Sequence, residues 1–335
     1  RDWIVSRYLD KILSQLKTFK NSINRVEFKI SEEHKILVGV SGGNDSLVLA
    51  ECLYRCGHPI EVAHVNYQLR GSESDGDADL VRAWCTARDV PHHELRAEMT
   101  GDREGVQSEA RRIRYHWFGT LQAAIQTSLE SPVFVATAHH SDDQAETVLL
   151  HLLRSADPMA LAGMRSLDPV SRLIRPFLEE SREALEEQAA DWGLDPREDS
   201  SNQKPDYLRN RLRHEVLPLL ESLRPGAGRH LTRIASRLQP LATESRRAVD
   251  AAVLRCGKDH GSSFELDLHA WSNEPLQMEV LHQLCRQFKI SSKATPEIVS
   301  LTRSGVHSGA RFESIACTVT REKAHLTWNP QPLSS

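Results

Sequence analysis

The sequence predicts an α/β fold, a doubly wound parallel sheet followed by a smaller helix-rich domain, and three observations predict it. Short apolar, β-branched runs alternate with amphipathic helical stretches, the pattern of successive βα units. The first run, Lys35-Ile36-Leu37-Val38-Gly39-Val40, leads into two glycines, as a buried parallel strand does where it feeds a tight turn. Residues capable of chemistry stand just after Val40, Val65 and Ala138, where ligands bind in open α/β sheets, beyond the carboxyl ends of the strands.

The elements follow in order. Residues 1–30 place Leu9, Ile12, Leu13, Leu16, Phe19 and Ile23 at helical spacing among Lys and Asp, which reads as an amphipathic helical segment and not as the apolar core of a signal peptide. After the glycines, Leu47, Leu49, Ala50 and Leu53 give a core-facing helical stripe that Gly57 stops. A strand over 60–65, helices over 77–89 and 109–126, and a third strand over 132–138 complete the alternating pattern. Further helices cover 143–154, 181–192 and 208–217, the last of which Pro218 should end or kink. Pro225-Gly226-Ala227-Gly228 reads as a linker or tight turn, and the tail beyond it as helix-rich with two strands near 316–320 and 324–328. The expected division is a helical segment 1–30, a principal domain 31–222 and a C-terminal domain 229–330.

A chain of 335 residues is long enough for more than one core, and 39% apolar with 26% charged residues is ordinary globular make-up, unlike a disordered or fibrous chain. No apolar run approaches the length of a transmembrane helix, so no membrane partner is expected. Cys52, Cys56, Cys85, Cys256, Cys285 and Cys317 lack C-x-x-C or metal-finger spacing and read as reduced thiols of a cytoplasmic protein. The net charge of -4 hides local contrast: residues 204–237 hold eight basic against three acidic residues, a run that suits phosphates, whereas 179–199 holds nine acids against two arginines. Either run read alone also fits a solvated helix face.

Ser41-Gly42-Gly43-Asn44-Asp45-Ser46 lies between strand and helix, where paired glycines let backbone N–H groups converge on an anion at the helix N-terminus. No Gly-Lys-Ser/Thr follows, so this is not a Walker loop. It suits the pyrophosphate part of ATP, with Asp45 available for Mg²⁺; an ordinary Gly-Gly turn is the plainer alternative. At the second strand end stand His64, Asn66 and Arg70, and on one helix Arg111, Arg112, Arg114 and Tyr115, a basic turn that would neutralise a triphosphate or pair with acids. The densest polar cluster is Ala136-Thr137-Ala138-His139-His140-Ser141-Asp142-Asp143-Gln144-Ala145-Glu146-Thr147. Asp143 and Glu146, three apart, share a helix face and suit a cation, either Mg²⁺ or the ammonium groups of an amino acid. A transition-metal site there lacks a third well-spaced imidazole.

Taken together and in order, these segments resemble the tRNA(Ile)-lysidine synthetase family of the N-type ATP-pyrophosphatase, or PP-loop, superfamily, whose sheet is Rossmann-like. The resemblance runs from Val38–Ser46 through His64-Val65-Asn66, Leu69-Arg70, Glu109-Ala110-Arg111, Arg114-Tyr115 and 136–147. It continues through Leu161-Ala162-Gly163-Met164, Arg175-Pro176-Phe177, Glu198-Asp199-Ser200-Ser201-Asn202 and Arg209-Asn210-Arg211-Leu212-Arg213. It implies an ATP-dependent carbon–nitrogen ligase that adenylates C2 of the wobble cytidine in the CAU anticodon of tRNA(Ile). Free L-lysine then displaces AMP, which changes codon reading from AUG to AUA. It further implies that Ser41, Gly42, Gly43, Asn44, Asp45, Ser46, His64 and Arg70 bind ATP, with Asp45 on Mg²⁺, and that Asp143 and Glu146 bind lysine. His139, Arg111 and Arg114 would act in catalysis, and Arg209, Asn210 and Arg213 would contact tRNA or adenylate. A homodimer is left open. Two departures stand out: Tyr67 replaces a second histidine, and Arg154-Ser155-Ala156-Asp157-Pro158 replaces a Gly-rich turn. Another PP-loop tRNA modifier, such as a thiolation enzyme, and a catalytically weakened tRNA-binding homologue are the rival readings.

Overall fold

A computed structural model describes residues 34–69, 71–99, 106–154, 157–197 and 208–331. The chain forms two compact units, Arg1–Gln239 and Pro240–Ser335. The helical reading of residues 1–30, Arg70, Ser155, Ala156 and the segment 198–202 lie outside the described residues.

The first unit is built on six strands: β1 (Ile36–Gly39), β2 (Ile60–Asn66), β3 (His92–Arg96), β4 (Phe134–Ala136), β5 (Leu167–Asp168) and β6 (Leu173–Ile174), in the order β3-β2-β1-β4-β6-β5. Every pairing is parallel except the edge hairpin of β5 and β6. Alternation along each strand assigns its side chains to two faces. Ile36, Val38, Val62, Phe134, Ala136 and Ile174 pack with helix α1 (Asn44–Arg55) and Leu185, whereas Leu37, Ala63, Val135 and Leu173 pack with Phe118 and Tyr115. The remaining described helices of this region are α2 (Ser72–Thr86), α3 (Val106–Gln126), which carries Tyr115 and Phe118, α4 (Ser141–Arg154) and α5 (Arg182–Trp192). Because β1, β2, β4 and β6 run parallel, their carboxyl ends and the loops that follow share one edge of the sheet.

The third strand in the chain is β3, not the run near 132–138, which is the fourth. Its sequence, His92-His93-Glu94-Leu95-Arg96, has no apolar pattern because it is an edge strand whose Glu94 pairs with Arg82 at 2.6 Å. Pro218 does not end its helix. It falls in the first turn of α7 (Leu217–Leu223), after α6 (Leu208–Arg211) and a π-helical segment, Leu212–Val216, and its missing N–H is not needed there. The Pro225–Gly228 stretch is a tight turn and not a linker: the Glu221 carboxylate accepts the N–H groups of Gly226 and Gly228, both at 2.7 Å. The division between units falls later, at Pro240 inside α8 (Ala227–Cys256).

The second unit holds more sheet than a helix-rich tail would. Strands β7 (Gly257–Asp259), β8 (Phe264–Asp267), β9 (Arg311–Glu313), β10 (Cys317–Glu322) and β11 (His325–Pro330) form an antiparallel sheet ordered β7-β8-β11-β10-β9. The two expected strands are its hairpin β10–β11. One face buries Phe264, Leu266, Val319, Leu326 and Trp328 against Val280, Leu281, Leu284 and Ile298.

In the first unit α2 is pinned to α1 by a buried carboxylate. Glu51, 2% exposed, accepts from Arg55 at 2.6 Å, Arg88 at 2.7 Å and the Trp84 indole at 3.0 Å. Truncating one side of a buried ionic cluster strands the other, so Glu51→Ala should lower the unfolding free energy by about 3 kcal/mol in urea titration. A loss under ~1 kcal/mol would show that solvent reaches this network.

Candidate active site

The loop after β1 closes on its own hydroxyls. The Ser41 N–H donates to Ser46 Oγ at 3.1 Å, and Ser46 donates its single hydroxyl proton to the Gly43 carbonyl at 2.9 Å. The Ser41 hydroxyl must therefore be the donor in its 3.2 Å contact with Ser46, while it accepts the Gly43 N–H at 3.3 Å. Gly42 has φ +94°, and a Cβ there would lie 3.2 Å from Cβ of Asp77, so conformation and space both require glycine. Gly43 is the N-cap of α1 and brings no capping side chain, which leaves the first-turn N–H groups of Asn44 to Ser46 available to an anion. Asp45 stands in that first turn, one oxygen taking the Asn44 amide at 3.2 Å.

The loop after β4 brings two histidines to the same edge, and they do different things. His139 Nδ1 and the Thr137 hydroxyl are 2.9 Å apart. Desolvation, reinforced by the charges of Arg175, Arg114 and Arg209 and opposed by Asp143, pushes the His139 imidazole down to about 3, so it is neutral near pH 7. His140, 4% exposed, accepts the Asp142 N–H on Nδ1 at 3.3 Å, so in the neutral ring the proton sits on Nε2. That nitrogen lies 3.6 Å from Asp45 Oδ2 and 3.5 Å from Asp143 Oδ2. His140 thus stands between the loop of β1 and helix α4.

Asp143 and Glu146 share one face of α4 and are held by two arginines from another segment. Arg209 donates to Glu146 at 2.7 Å and to Asp143 at 3.0 Å; Arg213 donates to Glu146 and, at 3.0 Å, to Asp143. Positions 209 and 213, four apart, present both guanidinium groups on one side, while Arg211 pairs away with Glu215. The Glu146 side chain is wholly buried. Burial raises the Asp143 carboxyl, but His140, His139, Arg209 and Arg213 outweigh it and hold the group below its ordinary value. Asn210 is buried between the two arginines in sequence.

A PP-loop domain family matches residues 10–220 of the chain. A tRNA(Ile)-lysidine synthase of Porphyromonas gingivalis is 31% identical over 323 residues, 92% of this chain and 67% of that protein. The tRNA(Ile)-lysidine synthase of Parabacteroides distasonis is 35% identical over 302 residues, 89% of this chain and 66% of that one. The chain belongs to the tRNA(Ile)-lysidine synthase family of PP-loop proteins. The matches span between 43% and 67% of the length of these curated relatives. The U34-tRNA thiolase NcsA of Methanococcus maripaludis shares the fold, with a TM-score of 0.53 at 20% identity over 67% of this chain and 80% of that one.

Among the other residues expected at a lysidine synthase site, His64 is 2% exposed. Its Nδ1–H donates to the Val40 carbonyl at 2.9 Å, and Nε2 is left buried and unpartnered. Burial lowers its pKa against the pull of that bond. Arg111 and Arg114 stack on Tyr115, their guanidinium carbons 4.7 and 5.5 Å from the ring centroid. Tyr67, in place of a histidine, ties its strand end to α3 by donating to the Ala110 carbonyl at 3.1 Å. Three participants carried no role in the sequence reading: His140, Arg175 and Gln144, whose amide accepts from Met164 N at 2.8 Å and donates to its carbonyl at 2.9 Å. Of these, His140 had a signal, its place beside His139 in the polar cluster 136–147. Among the described residues no three His, Cys, Asp or Glu side chains form a metal cage. A lone loop carboxylate fits Mg²⁺ carried by phosphates, which uses one or two carboxylates and keeps its waters.

The lowered His139 pKa has a sign. The unfolded imidazole takes a proton below about 6.5 and the folded one only near 3, so this contribution to stability is complete above pH 6.5 and is lost progressively as pH falls towards 3. Urea unfolding across that window should show a shallower pH dependence for His139→Asn than for the unsubstituted chain. Parallel curves would remove His139 from the desolvated, neutral state.

Proposed function

We propose that the chain is an ATP-dependent lysidine-forming ligase, joining free L-lysine to C2 of the wobble cytidine of tRNA(Ile) with a CAU anticodon and releasing pyrophosphate and AMP. The observation that carries this reading is His140 Nε2, which lies within 3.6 Å of both Asp45 and Asp143 and so puts a nucleotide-binding loop and a cation-binding carboxylate pair one side chain apart. Two half-reactions on one nucleotide base need that proximity.

In the first step the cytidine O2 attacks the α-phosphorus of ATP and pyrophosphate departs. The Ser41–Ser46 loop holds that leaving group with first-turn N–H groups, and Asp45 would hold Mg²⁺, which supplies charge neutralisation when bound. In the second step the lysine ε-amine bonds to C2, the C2–O bond to AMP breaks, and the amine gives up a proton. An amine with an ordinary pKa near 10.4 arrives as ammonium. Asp143, held below the usual carboxylate range by its cationic neighbours, is fitted to bind that cation and poorly fitted to keep its proton. Both carboxylates are already taken by Arg209 and Arg213. Lysine therefore enters by exchange, its ammonium replacing a guanidinium that turns to an RNA or adenylate phosphate.

The thiolation reading finds no support in the thiols. Cys52 is fully buried, and its hydrogen bond with Cys56, together with burial, raises its pKa well above the ordinary thiol value, the reverse of a reactive pair. We place the reaction in the cytoplasm, where its tRNA substrate and reduced thiols belong.

The test follows pyrophosphate release and lysine incorporation on a CAU-anticodon isoleucine tRNA transcript. Asp45→Ala should lose both, by about a hundredfold or more, as removal of a charge-stabilising group does. Glu146→Gln should keep pyrophosphate release, the mark of the first step, and raise the lysine KM. Equal loss of pyrophosphate release in the two variants contradicts the division of roles, and AMP release without lysine incorporation by the unsubstituted chain points to another nucleophile.

A further inference from the structure

Beyond the arginines that clamp Asp143 and Glu146, a second group of cations gathers at the carboxyl ends of β4 and β6, with no carboxylate in contact among the described residues. Leu173 faces α3 and Ile174 the opposite side, so alternation returns Arg175 to the α3 side, where Arg111, Arg114 and Tyr115 stand. Arg175 is 8% exposed. Its backbone N–H donates to the Ser166 carbonyl and its Nη1 to the Arg165 carbonyl, both at 2.8 Å, which fixes the guanidinium, while its Nε is buried and unpartnered. Arg114 Nε is also buried and unpartnered. Among the described residues neither arginine forms an ion pair. Asp168, the acid that interacts with Arg175 electrostatically, spends one oxygen on the Val170 and Ser171 N–H groups.

A buried guanidinium without a carboxylate in contact is costly, and the charge of Arg111 adds repulsion. A fold keeps such an arrangement where the counter-charge arrives with a ligand. Arg114, Arg175 and Arg209 all act electrostatically on His139, so the cluster borders the carboxylate pair of α4. A neutral imidazole adds a hydrogen-bonding group there without a further charge.

We propose that Arg114 and Arg175, with Arg111 at the rim, form a phosphoryl-anion site at the ends of β4 and β6, a role that Arg175 has not carried so far. The assignment rests on the ligase reading for its place beside the reacting cytidine, but not for its chemistry. The anion is a phosphate ester, supplied either by the 5′-phosphate of the adenylate or by the RNA phosphodiester next to the target base. Planar guanidinium groups suit both, because each offers parallel N–H donors to two phosphate oxygens.

Binding of AMP, of adenosine and of a CAU anticodon stem-loop RNA to the unsubstituted chain and to Arg114→Gln, Arg175→Gln and Arg175→Lys tests this without any turnover. If the adenylate supplies the phosphate, the glutamine variants bind AMP about tenfold or more weakly while adenosine binding is unchanged, as loss of a charge-assisted bond requires. If the RNA supplies it, AMP binding is unchanged and the salt dependence of RNA binding falls by about 0.7 in slope for each lost contact. Arg175→Lys keeps the charge without the planar fork and should fall between the unsubstituted chain and Arg175→Gln. Thermal melting followed by circular dichroism identifies folded variants, and Arg114→Gln, at a partly exposed position, decides the matter if Arg175→Gln does not fold. Folded Arg114→Gln and Arg175→Lys with unchanged affinity for AMP and unchanged RNA salt slope overturn the site. Failure of lysine incorporation in the unsubstituted chain would sink the ligase reading and leave these binding results standing.

Discussion

Two carboxylates on α4, one of them wholly buried, share two arginines that come from more than sixty residues further along the chain. A buried carboxylate is tolerated only when its charge is met and its lone pairs are filled, and Arg209 and Arg213 do both for Glu146. The consequence is structural first: α4, which carries the proposed cation site, is tied to the helical segment that carries the basic run. It is functional second. A site whose charges are already balanced has little affinity for an incoming ammonium unless the resident cations find other anions, so in the proposed ligase amino-acid binding and phosphate binding would be linked through one set of side chains.

His140 extends that linkage to the other half of the site. Its ring is oriented from behind by the Asp142 N–H, so its Nε2–H faces two acids that belong to different elements. His139, next to it, is turned to Thr137 and into the field of three arginines. Adjacent histidines in one loop therefore serve opposite surroundings, one acidic and one basic. The backbone leaving β4 produces this division, since neighbouring side chains in an extended segment point to opposite sides.

The same contrast explains what the sequence discloses and what it does not. Strand β1, the glycines that follow it and the Asp143–Glu146 face are legible because each signal is local: an apolar run, a pair of residues without Cβ, a spacing of three. Strand β3 is not, because an edge strand needs no apolar face, and His92-His93-Glu94-Leu95-Arg96 has none. The sheet of the second unit is hidden by the shortness of β7, β8 and β9, three or four residues each, in which alternation barely registers. The Arg209–Glu146 contact leaves no local trace at all. The choice between His139 and His140 is likewise invisible in a sequence, because it depends on which ring nitrogen meets which backbone group.

The turn after α4 is where the chain departs from a glycine-rich pattern, and the described part of it shows how that departure is accommodated. Asp157 accepts the Met159 N–H at 2.9 Å and caps a 3-10 turn, Pro158–Ala162, with Pro158 in the first turn, where its missing N–H leaves no bond unmade. The turn ends at Gly163, whose φ of +62° and whose close approach to Gln144, 2.7 Å from where a Cβ would lie, both demand glycine. Gln144 stands on α4 between Asp143 and Glu146 and binds Met164 through both its amide atoms. The need for a glycine therefore persists at the far end of the turn, and the capped segment is strapped to the same helix that presents the carboxylates. The described part of the turn is in this way tied to α4, and Asp157 and Pro158 leave no backbone bond unmade there. That favours the reading of a working ligase over that of a weakened RNA-binding relative.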